Sequence, residues 1–177
     1  MLMLQTFASL ALLLASEPSV KIVFFLSTEC PISRFYAPEI QRICSSYQPH
    51  GVTCTLAFED LPLAPSALRK HLVEFGYRGI PAKVDETGDI AKTAGAFVTP
   101  TAVILDKAGV IRYRGRIDNF YADLGKPRRQ ATTHDLTDAL DAVLAGRPVT
   151  NAETKAIGCF ITSPEVLKSL QPEGGSK

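Results

Sequence analysis

The chain has 177 residues, 46% of them hydrophobic and 21% charged, and its 19 Lys and Arg against 18 Asp and Glu leave a net charge of +1. That is too apolar and too evenly charged for a disordered chain, and it lacks the basic excess of a nucleic-acid binder. A chain this long can bury a core without covalent staples, so its 4 cysteines need another explanation.

The first feature is an apolar run from Leu4 to Ala15, followed by Ser16-Glu17-Pro18, where the polar chain begins. It falls short of the roughly 20 apolar residues a membrane-spanning helix needs, so no integral span is expected. Its length suits the apolar part of a secretory signal with Ala15 and Ser16 near the cleavage point, though no Lys or Arg precedes it. Residues 1–16 are therefore read as an export leader, which would place the protein in the periplasm or outside the cell, where disulfides survive.

Val20 to Leu26, rich in β-branched and aromatic residues, predicts a central parallel strand buried on both faces. Phe35, Ile40, Ile43, Cys44 and Tyr47 recur at helical spacing over 33–47, with Pro38 expected to kink the helix. Residues 51–58 alternate as a second strand. A helix opening at Ala64-Pro65 turns Leu68, Leu72 and Phe75 inward and stops at Gly76. A short strand over 80–85 and a short helix over 89–94 follow. Thr101 to Asp106 is a strand, Asp106-Lys-Ala-Gly109 a tight turn, and Val110 to Ile117 the returning strand. Residues 118–133 form a loop long for a compact domain, read as a flap facing a substrate or partner. From His134 to Ala145, Leu136, Leu140, Val143 and Leu144 share a helix face and Asp135, Asp138 and Asp141 fall mainly outside it. Thr132 or Thr133 would cap that helix. The order predicts an α/β fold, a mixed central sheet flanked by helices on both faces. The domain is placed at 17–146, and the tail, 147–177, is expected to fold back on it with its Gly174-Gly-Ser-Lys end loose.

The chemistry concentrates where the first strand ends, at Ser27-Thr28-Glu29-Cys30-Pro31-Ile32-Ser33. Cys30 sits just before a helix, whose N-terminal amides and partial positive charge stabilise a thiolate, the form that acts as nucleophile. This strand–loop–Cys30 arrangement, with Val98-Thr99-Pro100-Thr101 ahead of a strand and hairpin, resembles the thioredoxin-like superfamily, and most nearly its redoxins of the alkyl-hydroperoxide-reductase and thiol-specific-antioxidant type. The resemblance spans roughly Val20 to Ala145. It implies a thioredoxin fold, Cys30 as reactive thiol, and Pro100 in the cis form beside it with Thr99 offering backbone hydrogen bonds.

The departures are informative. Ser33 replaces the second cysteine of C-x-x-C, so a mixed disulfide or sulfenic acid on Cys30 would need a resolving thiol from elsewhere. Ser27 and Val23 stand where peroxiredoxins carry Thr and Pro, and Leu26 stands where copper-delivering relatives carry a first cysteine. Cys159, beyond the linker after Gly146, is the candidate resolving cysteine, or else an apolar anchor for the tail. Cys44 and Cys54 are spaced for a bridge or for packing as free thiols. Of the three full pairings four cysteines allow, 30–159 with 44–54 ranks first.

Arg112, Arg114 and Arg116 alternate along the hairpin, read as the solvated side of an edge strand, with one of them able to hold a thiolate. His50 and His71 are read as surface residues. The expectation is an exported thiol-dependent oxidoreductase with no cofactor, acting through Cys30, Ser33, Thr99, Pro100 and Cys159 on a disulfide-bearing protein or a peroxide, recharged by an external thiol. The alternative is a metal-binding or delivery module holding an ion such as Cu(I) on Cys30, Cys159 and His134.

Overall fold

The computed structural model describes residues 20–162, so the leader at 1–16 and the Gly174–Lys177 end lie outside the described residues. In chain order the elements are β1 (Val20–Leu26), α1 (Pro31–Tyr47), β2 (Val52–Phe58), α2 (Pro65–Glu74), β3 (Ala82–Val84), α3 (Asp89–Ala94), β4 (Val98–Thr99), β5 (Thr101–Asp106), β6 (Ile111–Gly115), β7 (Tyr121–Asp123), β8 (Lys126–Pro127), α4 (Asp135–Leu144) and β9 (Cys159–Phe160).

The central sheet runs in the order β3-β2-β1-β5-β6. Parallel pairing joins β1 to β2 and β2 to β3, while β5 and β6 pair antiparallel. The alternation of β1 is what makes the sheet two-sided. Ile22, Phe24 and Leu26 enter the larger core with Ile40 and Ile43 of α1 and Leu136 and Leu140 of α4, while Val23 and Phe25 face a smaller one with Ala57, Ala91 and Val103. Each such side chain taken from water contributes about 1.5–3 kcal/mol, which fixes β1 in the centre and its end, with Cys30, at one edge of the cores. The turn after β5 is closed by Asp106, whose Oδ1 accepts the N–H groups of Ala108 and Val110.

After α4 the chain returns along the open side of β6. The Arg114 N–H donates to the Ala152 carbonyl at 2.9 Å, and the Thr154 N–H to the Arg114 carbonyl at 3.0 Å. Gly115 permits this approach, since a Cβ there would collide with Thr154. The tail then crosses to β4, where β9 pairs antiparallel, Val98 opposite Phe160 and Thr99 opposite Cys159.

Several sequence expectations need correction. The arginines on and just after β6 are not simply solvated: Arg112 pairs with Asp106, Arg114 with Glu153, and Arg116 with Asp135, so none is left to hold a thiolate. Asp135 is accordingly buried instead of outside the helix face, and Thr133 Oγ1 donates to its carboxylate at 2.8 Å instead of capping α4. His71 is also buried, stacked against Phe75 with ring centroids 4.4 Å apart. The 118–133 flap is an ordered hairpin tied by Asn119, whose side chain bonds Thr132 and Thr133, and Phe120 stacks on Phe35 of α1. Among the described residues no helix is long and apolar enough to cross a membrane.

Candidate functional site

Cys30 occupies the N-cap of α1 in extended conformation, φ −79° and ψ 115°, with Pro31 beginning the helix. Its position is set by the loop between β1 and α1, which turns on Ser27. The Cys30 N–H donates to the Ser27 hydroxyl at 3.2 Å, and that hydroxyl donates to Asp60 Oδ1 at 2.6 Å. The Thr28 N–H donates to Asp60 Oδ2, also at 2.6 Å. Asp60 therefore clamps the cysteine loop through both oxygens.

The other sequence-derived candidates converge on the same sulfur. The Thr99–Pro100 bond is cis. The Thr99 carbonyl accepts the Cys30 thiol at 3.2 Å. Ser33 is buried one turn into α1, where its Oγ accepts the Ser27 N–H and its backbone N–H and hydroxyl reach Cys30. Opposite Thr99, β9 delivers Cys159 to the neighbourhood of Cys30. Gly158 makes this possible: any Cβ there would run into the Thr99 carbonyl oxygen.

His134 does not join this group. It is the N-cap of α4, and among the described residues no three His, Cys, Asp or Glu side chains converge as a metal site would need, so the set Cys30, Cys159 and His134 is not assembled.

The two thiols differ in access and in charge. Cys30 is 1% exposed, whereas Cys159 is half-buried. Burial pushes the Cys30 thiol up, but the hydrogen bonds donated by the Cys159 thiol, the Ser33 N–H and hydroxyl and the Cys159 N–H outweigh it and hold the group below its ordinary value. Cys159 moves the other way, to about 11, because it is desolvated and lies beside a neighbouring thiolate. Of the two sulfurs, the inner one is therefore the more easily ionised.

Two residues that shape the surroundings of this loop, Asp60 and Glu59, have no place in the sequence reading. Glu59 is 8% exposed and its Oε1 has no hydrogen-bond partner, as is true of Thr99 Oγ1. Burial, and then the carboxylates of Asp85 and Asp60, push Glu59 up to about 8. Both residues line a cleft of about 370 Å³ with Ser27, Thr28 and Thr99. The available signal was their position: an acidic pair directly after a buried parallel strand, at the carboxyl end where open α/β sheets form crevices.

No protein-family model matches the sequence, and no curated protein matches it. Solved structures do. A crystal structure of an uncharacterized conserved protein from Geobacillus kaustophilus is 30% identical, covers 83% of this chain and 79% of its own, and superposes with a TM-score of 0.72. A hypothetical protein, SMc02350 from Sinorhizobium meliloti 1021, is 24% identical over 82% of this chain and 80% of its own, with the same TM-score of 0.72. A secreted disulfide oxidoreductase of Mycobacterium tuberculosis, homologous to E. coli DsbE, is 14% identical over 73% of this chain and 83% of its own, with a TM-score of 0.50. At that identity it speaks for the fold.

Proposed function

We propose that this chain, whose fold is thioredoxin-like, is a thiol–disulfide oxidoreductase whose Cys30 and Cys159 alternate between a dithiol and a disulfide. The observation that carries this reading is the pair itself: two unbonded cysteines brought together on Thr99, one by its thiol at the N-terminus of α1 and the other by strand pairing, beside a cis prolyl bond. In the exchange the two protein sulfurs lose two electrons and their protons as the Cys30–Cys159 bond forms, and a partner disulfide takes up both to become two thiols. In the opposite direction a partner dithiol is oxidised and the pair reduced. Cys30 works as its thiolate, and Cys159 supplies the second sulfur that Ser33 cannot. Thr99 and Pro100 form the wall against which the two sulfurs meet.

A peroxide at Cys30, the redoxin reading, has less support. Ser27, the hydroxyl that would meet a peroxide oxygen, is committed to Asp60, and the Cys30 sulfur has almost no open surface. Export to an oxidising compartment fits the Cys44–Cys54 disulfide, a bond that rarely persists in a reducing cytosol.

The test is catalysed exchange in both directions, reduction of insulin disulfides by an external thiol and oxidation of a reduced, unfolded protein, with hydrogen peroxide consumption run alongside. Wild-type protein should accelerate exchange, and Cys30→Ser and Cys159→Ser should each abolish the gain. Unchanged turnover in both variants removes the reading, and peroxide consumption lost only with Cys30→Ser replaces it with the redoxin one.

A further inference from the structure

If the pair exchanges disulfides with a partner, as proposed above, one of its two sulfurs must bond to that partner first. The sequence alone points to Cys30, because it caps the helix. The structure points the other way. Cys30 is sealed at 1% exposure, its sulfur enclosed by the Thr99 carbonyl, by Ser33 and by Cys159. Its cover is the tail. β9 pairs with β4, the Ile161 N–H donates to the Phe97 carbonyl at 2.9 Å, and Gly158 is pressed against Thr99. Cys159 stands in that cover, half-buried, followed by Phe160 with its side chain in solvent.

We infer that the partner enters at Cys159: in the oxidised protein a partner thiolate attacks the Cys159 sulfur, a Cys159–partner disulfide forms, and Cys30 leaves as the thiolate. The step balances without any further reactant. One S–S bond is broken and one made, the partner sulfur is oxidised and Cys30 is reduced, and the negative charge passes from the partner to Cys30. A second partner thiolate then attacks the partner sulfur of the mixed disulfide and releases Cys159, which takes a proton.

Three features support this order. Displacement at sulfur requires access to the sulfur attacked, and with β9 in place Cys159 is the more exposed of the two residues. The leaving thiolate has hydrogen-bond donors from Ser33 and from the Cys159 backbone beside it, which favour charge on that sulfur. The sulfur with the lower pKa also leaves faster, and that sulfur is Cys30, whereas Cys159 is raised to about 11. The roles are then the reverse of those that the sequence suggests: Cys159 is the contact sulfur and Cys30 the buried one that departs and returns. The substrate class follows from the same geometry. It is an accessible dithiol on a partner whose thiol can reach a strand at the surface, without having to enter the core.

The experiment uses the full-length wild-type protein. It is oxidised, mixed briefly with a cysteine-containing peptide as the thiol probe, quenched in acid within milliseconds, blocked at its free thiols, and mapped by mass spectrometry. The expected result is peptide bonded to Cys159 in roughly tenfold or greater excess over Cys30. Equal labelling, or an excess on Cys30, overturns the inference while leaving the exchange reaction intact. Recovery of no Cys30–Cys159 disulfide in the starting oxidised protein instead removes the reading on which the inference rests. A second probe, 2-mercaptoethanol, checks the access argument. If this smaller thiol labels Cys30 as readily as Cys159, burial does not govern the site of entry and the inference also fails.

Discussion

The molecule holds two cysteine pairs, and they are built in opposite ways. Cys44, near the end of α1, and Cys54, within β2, join consecutive elements only 10 residues apart, and they are bonded with their Cα atoms at 5.9 Å. Both are buried in the main core, away from the cis-Pro wall. Cys30 and Cys159 come from opposite ends of the domain, are unbonded, and meet only because the tail crosses to β4. All four touch the same apolar core, but only at Cys30 do hydrogen-bond donors favour a charge on the sulfur. The difference separates a covalent tie from a pair set up for exchange. The first is placed by the packing of neighbours in sequence. The second depends on a strap of a few backbone contacts, and it has an inner and an outer member.

The largest expected effect comes from cutting that strap. Gly158→Val forces a side chain into the Thr99 carbonyl and should lift β9, raising Cys30 alkylation on the order of 100-fold, as expected for a local opening worth a few kcal/mol. Thiol-specific alkylation followed by peptide mapping reads it, and a rate unchanged from wild type would show that the tail does not cover the sulfur. The second effect belongs to the other pair. Cys44→Ser with Cys54→Ser should cost about 3 kcal/mol, the loop-entropy value for so short a ring, measured by urea unfolding. It should leave the alkylation rate of Cys30 where it was. A joint change in both quantities would mean the two pairs are coupled and the contrast is false.

How much of this was legible in the sequence depends on the range of the forces. The alternation of Val20 to Leu26 required a two-sided central strand, because no other placement buries both faces. Cys30 at the strand–helix junction was visible for the same local reason. Asp60 was not, since its role comes from two hydrogen bonds to a loop more than 30 residues earlier. Arg114 and Arg116 read as solvated because their partners Glu153 and Asp135 are brought to them by the tail and by α4. His71 followed a helical pattern that did not say which side Phe75 would offer it. The crossing of the tail has no periodic signature at all. It relies on glycines at 115 and 158 that clear space for another segment's backbone.

Smaller perturbations sharpen the electrostatic side of the comparison. Glu59, raised to about 8, keeps its proton in the folded chain where the unfolded chain has already lost it. Stability therefore falls as pH rises from the ordinary carboxylate range toward 8, and levels off above it. Glu59→Gln should remove that decline, gaining about 3 kcal/mol at pH 8 relative to its effect at pH 5, as read by urea unfolding at both pH values. A pH-independent effect would mean the carboxyl is not protonated in the fold. The smallest effect is Ser33→Ala. It removes one donor to the Cys30 thiolate and should move the alkylation midpoint of Cys30 upward by roughly half a pH unit, in a background where Gly158→Val grants access. A downward shift would contradict the assigned donor.

The central claim, that the tail-borne pair is the redox centre and the helix–strand pair is its scaffold, is tested most directly by a redox titration of the wild-type protein in glutathione and dithiothreitol buffers, with every cysteine mapped at each potential. The account expects a Cys30–Cys159 disulfide that forms and disappears reversibly while Cys44–Cys54 stays joined throughout that range. If Cys30 and Cys159 never bond to each other, or if Cys44–Cys54 is the pair that opens and closes, the account is wrong.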